Sequence, residues 1–130
     1  MTKRLFTFAI FPDLYAITKL PYDAPEPDWA QKGLFVSLTR TPHELSIVCA
    51  QDQVPSEYNR ETGWRVLRIM GPLDFTMVGV IAEIAAALSE SGIAIFVIST
   101  FETDYILIRD SDLVGAVQTL RREGHGVEAL

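Results

Sequence analysis

The sequence is poor in the residues that carry redox and metal chemistry. Its single cysteine, Cys49, cannot form a disulfide within the chain, and its place in the apolar run 45–50 marks it as a small buried side chain. The two histidines, His43 and His125, stand in a turn and beside glycines, without HxH or HExxH spacing, so neither a metal nor a cofactor is expected. No Ser, His and acid arrangement marks a nucleophile. The glycines of 71–79 form neither GxGxxG nor a lysine-bearing phosphate loop, and Asp74 among them would repel a phosphate. Basic residues are scarce too: 11 Lys and Arg against 17 Asp and Glu leave a net charge of -6 and no basic cluster. That balance excludes the electrostatic footprint of a nucleic-acid or anionic-lipid partner. No apolar run approaches the roughly 20 residues of a membrane span. Residues 5–11 are too short for a signal peptide and lack a small-residue cleavage pattern, so a reducing, cytoplasmic setting is expected.

What is present is a chain able to fold. With 130 residues, 48% of them apolar, it fits one domain or two very small ones sharing a core. Residues 4–11 read as a strand ended by Pro12 and Asp13. Pro21, Pro25 and Pro27 keep 20–28 an extended loop, with one helical turn at 29–32. Residues 34–39 and 44–49 flank turn-forming positions and read as a hairpin. Residues 54–59 allow a short helix, and the polar stretch 60–63 is the candidate boundary.

The second half has stronger periodicity. Residues 64–70 read as a strand, and Met77, Val80, Ile81, Ile84 and Leu88 share one helical face that Gly92 terminates. Burying those side chains contributes on the order of 7–15 kcal/mol before ordering entropy is subtracted. A second hairpin follows at 93–99 and 104–109. Ser111 is expected to cap a helix with Leu113, Val117 and Leu120 inward, ended by Gly124, and 125–130 can add a strand.

The two halves repeat. A shift of 60 to 61 positions, with one deletion in the hairpin turn, places Phe35-Val36 on Phe96-Val97, Thr39 on Thr100 and Glu44 on Asp104. Upstream it places Arg4-Leu5 on Arg65-Val66 and Pro12 on Pro72. Each half reads β-(α or loop)-β-β-α, completed by a following or terminal strand. The expected fold is α+β: two tandem ferredoxin-like βαββαβ modules, with antiparallel sheets and helices on one face. Residues 1–61 would form the first, with a reduced first helix, and 62–130 the second.

A tandem of such modules with a glycine-bracketed loop after strand one resembles the ACT-domain family of amino-acid-sensing modules. Leu38-Thr39-Arg40-Thr41, Gly63-Trp64-Arg65, Gly71-Pro72-Leu73-Asp74-Phe75 and Ile98-Ser99-Thr100-Phe101 with Thr103-Asp104-Tyr105 resemble its short bacterial tandem members. A more distant similarity is to the arginine-sensing branch of the family in animals, which has four copies and holds arginine between two of them. The resemblance implies a ligand role for residues 75–80 and for Thr100, Phe101 and Asp104. With only two modules here, it also implies a homodimer.

The residues suit that chemistry. A free amino acid carries a carboxylate and an ammonium on one carbon, so its receptor needs clustered donors beside an acceptor. A helix beginning near Thr76 would offer the amides of Val78, Gly79 and Val80 to the carboxylate. Asp104 would accept from the ammonium, while Thr100 supplies a hydroxyl and Phe101 an apolar wall. Each residue also has a plainer reading. Asp104 can bond its own turn, Asp74 can cap the helix beside Phe75, and Gly71 and Gly79 can serve turn geometry or packing. The resulting expectation is a non-catalytic regulatory protein that binds a free amino acid and can act on a partner protein. The alternative is an adaptor module that engages a partner without any ligand. A small hydrolase of the acylphosphatase type would need an arginine in the loop after strand one, and neither 11–15 nor 71–79 has one.

Overall fold

The computed structural model describes residues 4–71 and 78–130. In chain order their strands are β1 (Thr7–Ile10), β2 (Tyr15–Leu20), β3 (Ser37–Arg40), β4 (Leu45–Ala50), β5 (Arg60–Ile69), β6 (Phe96–Ser99), β7 (Asp104–Arg109) and β8 (Gly126–Ala129). Helix α1 spans Val80–Glu90 and α2 spans Leu113–Arg122, so the chain is α+β. It divides into two compact units, Asp13–Trp64 and the combination of Met1–Pro12 with Arg65–Leu130.

In the Asp13–Trp64 unit, β4 lies between β3 and β2, and β2 pairs in turn with the first part of β5, all antiparallel. Strand β2 has no counterpart in the sequence expectation. Its inward positions include Ala16 and Thr18, too small and too polar for a hydrophobic alternation to show. The buried Thr18 hydroxyl is satisfied by donating to the Asn59 carbonyl at 2.6 Å. Residues 54–59 form no helix, and the helical turns of this unit are the 3-10 turns Asp28–Ala30 and Gln51–Gln53. Residues 60–63 do not interrupt the chain either, since they begin β5. Gly63 makes this possible with φ of +81°, next to the register shift between Tyr15 and Ile17 on the paired strand. The core comprises Ala16, Leu20, Ala30, Leu45, Ile47, Cys49 and Val54, with Trp29 and Tyr58 packed against it.

Burial pushes the Cys49 thiol up to about 11, helped by the charge of Asp52. Burial likewise pushes Tyr15 up to about 12, with Asp13 and then Cys49 adding to it. Both groups hold their protons in the folded chain at pH values where the unfolded chain has lost them. Their contribution to stability is therefore fully present below pH 9 and is lost as pH rises through about 9–12. Thermal melts at pH 8 and pH 11 should show a fall in Tm of several degrees at the higher value.

In the other unit the strand order is β6-β7-β5-β1-β8. Strand β1 was expected to open the first module. Instead it pairs antiparallel with β5, Phe8 opposite Ile69, and parallel with β8, Phe8 opposite Val127. Its composition suits that interior place, because Phe8 and Ala9 point to opposite faces and both are buried. Helix α1 buries Val80, Ile84 and Leu88, with Ile81 partly buried, as the periodicity predicts, and Gly92 follows at φ +77°. Met77 lies outside the described residues. Helix α2 buries Ala116, Thr119 and Leu120, with Leu113 and Val117 packed beside them. Ser111 does not cap it: Ser111 lies in the 3-10 turn Asp110–Asp112, and Asp112 precedes the helix. His125 is buried against Phe6 and Phe8, and its Nδ1 accepts the Phe6 amide at 3.0 Å, so its role is packing.

Candidate functional site

The turn between β6 and β7 is the most constrained part of the predicted site. Ser99 pairs with Asp104 as the last rung of the hairpin. Inside it, Thr100 donates both its amide, at 2.9 Å, and its hydroxyl, at 3.1 Å, to the Thr103 carbonyl. The Thr103 side chain is buried, and its Oγ1 donates to the Ile69 carbonyl at 2.6 Å. That bond pins the turn to the end of β5, two residues before the exposed Gly71. At the tip Phe101 is 81% exposed. Beside it Glu102 lies 3.7 Å from Arg68 Nη2, a surface pair of little energetic weight.

Asp104 closes the base of the turn and is half-buried. It accepts a hydrogen bond from the Ser99 hydroxyl rather than from its own turn backbone. Among the described residues no cation stands within ion-pair distance of it. A carboxylate with one neutral donor retains acceptor capacity for a charged partner.

At the entrance of α1 the helix starts at Val80, four residues later than expected, because Gly79 takes the left-handed conformation at φ +78°. The first intrahelical bond runs from the Glu83 amide to the Gly79 carbonyl at 2.9 Å. Of the three expected donors only the Val80 amide therefore belongs to the first turn, while its side chain is buried in the core. Val78 is exposed, and its carbonyl accepts from Arg4 Nη2 at 2.7 Å. The same nitrogen pairs with Glu83 Oε1 at 2.8 Å. Asp74 and Phe75 lie outside the described residues.

The described contacts thus join the Thr100–Asp104 turn to the β5 exit near Gly71, and separately join Val78 and Glu83 to Arg4 in the N-terminal segment. Four participants escaped the sequence reading as site residues: Ser99, Thr103, Arg4 and Glu83. Ser99 and Thr103 stand inside the singled-out polar stretch, but nothing local marks Thr103 as buried. Arg4 is separated from Val78 by 74 positions, beyond any local pattern.

The other hairpin shows what is special here. Its last rung is Arg40 opposite Leu45, and the Thr41 amide donates to the Glu44 carbonyl at 2.9 Å. Both turns therefore have the same length, and the equivalent shift is 59, with no deletion. Leu45, not Glu44, is the counterpart of Asp104, and Thr41, not Thr39, that of Thr100. The same shift carries inward Ile47 and Cys49 onto inward Ile106 and Ile108. A buried leucine stands where the second hairpin has its carboxylate, so the chemistry of Asp104 is not repeated.

A family model described as ACT domain matches residues 59–122. The chain belongs to the ACT-domain family. A second model, of an N-terminal domain, matches residues 13–57. Among curated relatives, the cytosolic arginine sensor for mTORC1 subunit 1 of Bos taurus is 30% identical over 100 residues, covering 68% of this chain and 30% of the relative. The human protein of that name is 35% identical over 65 residues, 49% of this chain and 20% of the relative. This ACT-family chain thus matches less than a third of the length of those relatives. A crystal structure of a protein from Agrobacterium tumefaciens is 36% identical, with a TM-score of 0.92 and coverage of 98% of this chain and 96% of that one. The regulatory subunit of aspartate kinase from Thermus thermophilus shares the fold at 15% identity, with a TM-score of 0.57 over 88% of this chain and 95% of that one.

Proposed function

We propose that this ACT-family chain is a non-catalytic regulatory protein that binds a free amino acid. The ligand site is the Thr100–Asp104 turn together with the β5 exit at Gly71 and the α1 entrance at Val78, Gly79 and Val80. Asp74 and Phe75 belong to the same loop by sequence. The chain is read as a tandem of two ACT-like modules, the Asp13–Trp64 unit having 3-10 turns where the βαββαβ pattern has helices, and the protein acts in the cytosol on a partner protein.

The observation that carries this reading is the Asp104 carboxylate, held at the base of a turn that Thr103 locks to β5, with no cation among the described residues within ion-pair distance. It accepts the ligand ammonium or a basic side chain. Phe101, 81% exposed, covers the aliphatic part. The similarity to an arginine sensor supports an amino acid as the ligand class. A thermal-shift screen of the twenty L-amino acids at 10 mM tests the reading. At a Kd near 0.1 mM the linkage is about 2.7 kcal/mol, a rise of roughly 5 °C or more. No rise with any amino acid contradicts it.

One observation favours protein contact through β6. This strand pairs with β7 alone among the described strands, carries no charge, and exposes Phe96 and Val97. Such an edge is a template for pairing. A homodimer covers it, and light scattering should then report the mass of two chains; a ligand-independent pull-down of another protein would favour the adaptor reading.

A further inference from the structure

A cavity of about 210 Å³ lies on the Asp13–Trp64 unit and is lined by residues of β2, β4, the turn before β4 and the start of β5. Its charged members are Lys19, Glu44, Arg60 and Glu61. Register places Lys19 opposite Ser46, and Ile17 opposite Glu61. Glu44 stands two residues before Ser46, and Lys19 two residues after Ile17, so each carboxylate is one diagonal step from the Lys19 position. Yet among the described residues none of the four charges has an ion-pair partner within 4.0 Å. Arg60 is only partly served: Nη1 donates to the Tyr58 carbonyl at 3.3 Å and the Pro55 carbonyl at 3.5 Å, both long, while Nε is buried with no partner. A guanidinium in that state lacks an acceptor.

We infer that this cavity is a second ligand site, for an amino-acid-sized zwitterion. Two cations and two carboxylates leave no net charge, so a simple anion or cation gains from one pair of groups and is repelled by the other. A dipolar molecule satisfies both pairs, with its carboxylate toward Lys19 and Arg60 and its ammonium toward Glu44 and Glu61. Ser46 and Asn59 add neutral hydrogen-bonding groups and Ile17 an apolar wall. The volume suits one amino acid and little more, below the range usual for larger ligands. The site is independent of the Asp104 site, since none of its residues belongs to that turn.

The test is a nitrogen-15 correlation NMR titration of the full chain with each of the twenty L-amino acids to 10 mM. Saturable shifts are expected at the amides of Lys19, Ser46 and Glu61 with at least one of them. For L-leucine the comparison probes are 4-methylpentanoate and isoamylamine, which lack the ammonium and the carboxylate in turn; for any other binder the corresponding pair is used. Each should bind at least tenfold more weakly than the amino acid. Arg60→Gln should weaken binding at least tenfold, and the exposed Lys19→Gln should do the same with the fold undisturbed. Asp104→Ala should leave these shifts intact while removing those at 99–104, which separates this site from the one proposed above. No saturable shift at 17–19, 44–46 and 59–61, equal binding of a singly charged analogue, or unchanged binding by both Arg60→Gln and Lys19→Gln would overturn the inference.

Discussion

Asp104→Ala should cut the ligand-dependent rise in Tm by half or more while shifting the melting temperature of the free protein by no more than about 2 °C. The carboxylate is half-buried and bonds the Ser99 hydroxyl, so its removal costs little in the free state. In the proposed complex its charge-assisted bond would be worth roughly 1.5–3 kcal/mol, so that losing it should weaken binding by about 10- to 150-fold. At 10 mM ligand, from a Kd near 0.1 mM, that removes between about half and nine-tenths of the stabilisation. Asp104→Asn, which keeps shape and hydrogen bonding but not charge, should fall between wild type and alanine. Melts of the three proteins with the best-binding amino acid check this. Equal ligand-induced shifts in all three would remove Asp104 from the site.

The second large effect concerns β1. Phe8→Ala should lower stability by about 3–5 kcal/mol, and Tm by roughly 10 °C or more, because Phe8 is fully buried in the core with Leu67, Ile69 and Val127. It also meets the His125 ring edge-on at 5.6 Å. Since β1 lies between β5 and β8, the loss should spread to both neighbours. Hydrogen exchange at the Leu67 and Val127 amides should accelerate together. Leu5→Ala, at a side chain 60% exposed, should change Tm by little. Unchanged protection at Leu67 and Val127 in Phe8→Ala would mean that β1 belongs with the N-terminal residues, as the repeat had implied.

These two positions show what was legible in the sequence. Helix α1 and the two hairpins announce themselves through local periodicity, and Val80, Ile84 and Leu88 are buried as their spacing requires. Strand β2 stays hidden behind Ala16 and Thr18, and the burial of the Thr18 hydroxyl depends on the Asn59 carbonyl far along the chain. The partner of β1 is equally invisible, because strand pairing is non-local and an apolar strand pattern is compatible with many neighbours. The sequence suggests a repeat at a shift of 60 to 61, whereas the paired rungs of the two hairpins align at 59, because turn length and inward-facing parity are set by strand pairing. Of the site, Thr100, Phe101 and Asp104 stood out as a polar interruption between apolar strands. Thr103 and Arg4 act through contacts 34 and 74 positions away and had no local signature.

The most direct measurement is the difference density in crystals grown with the amino acid that raises Tm most. The expected result is one amino-acid molecule with its ammonium or basic side chain against Asp104 and its aliphatic part against Phe101. An empty Thr100–Asp104 turn at saturating ligand would contradict the proposed function.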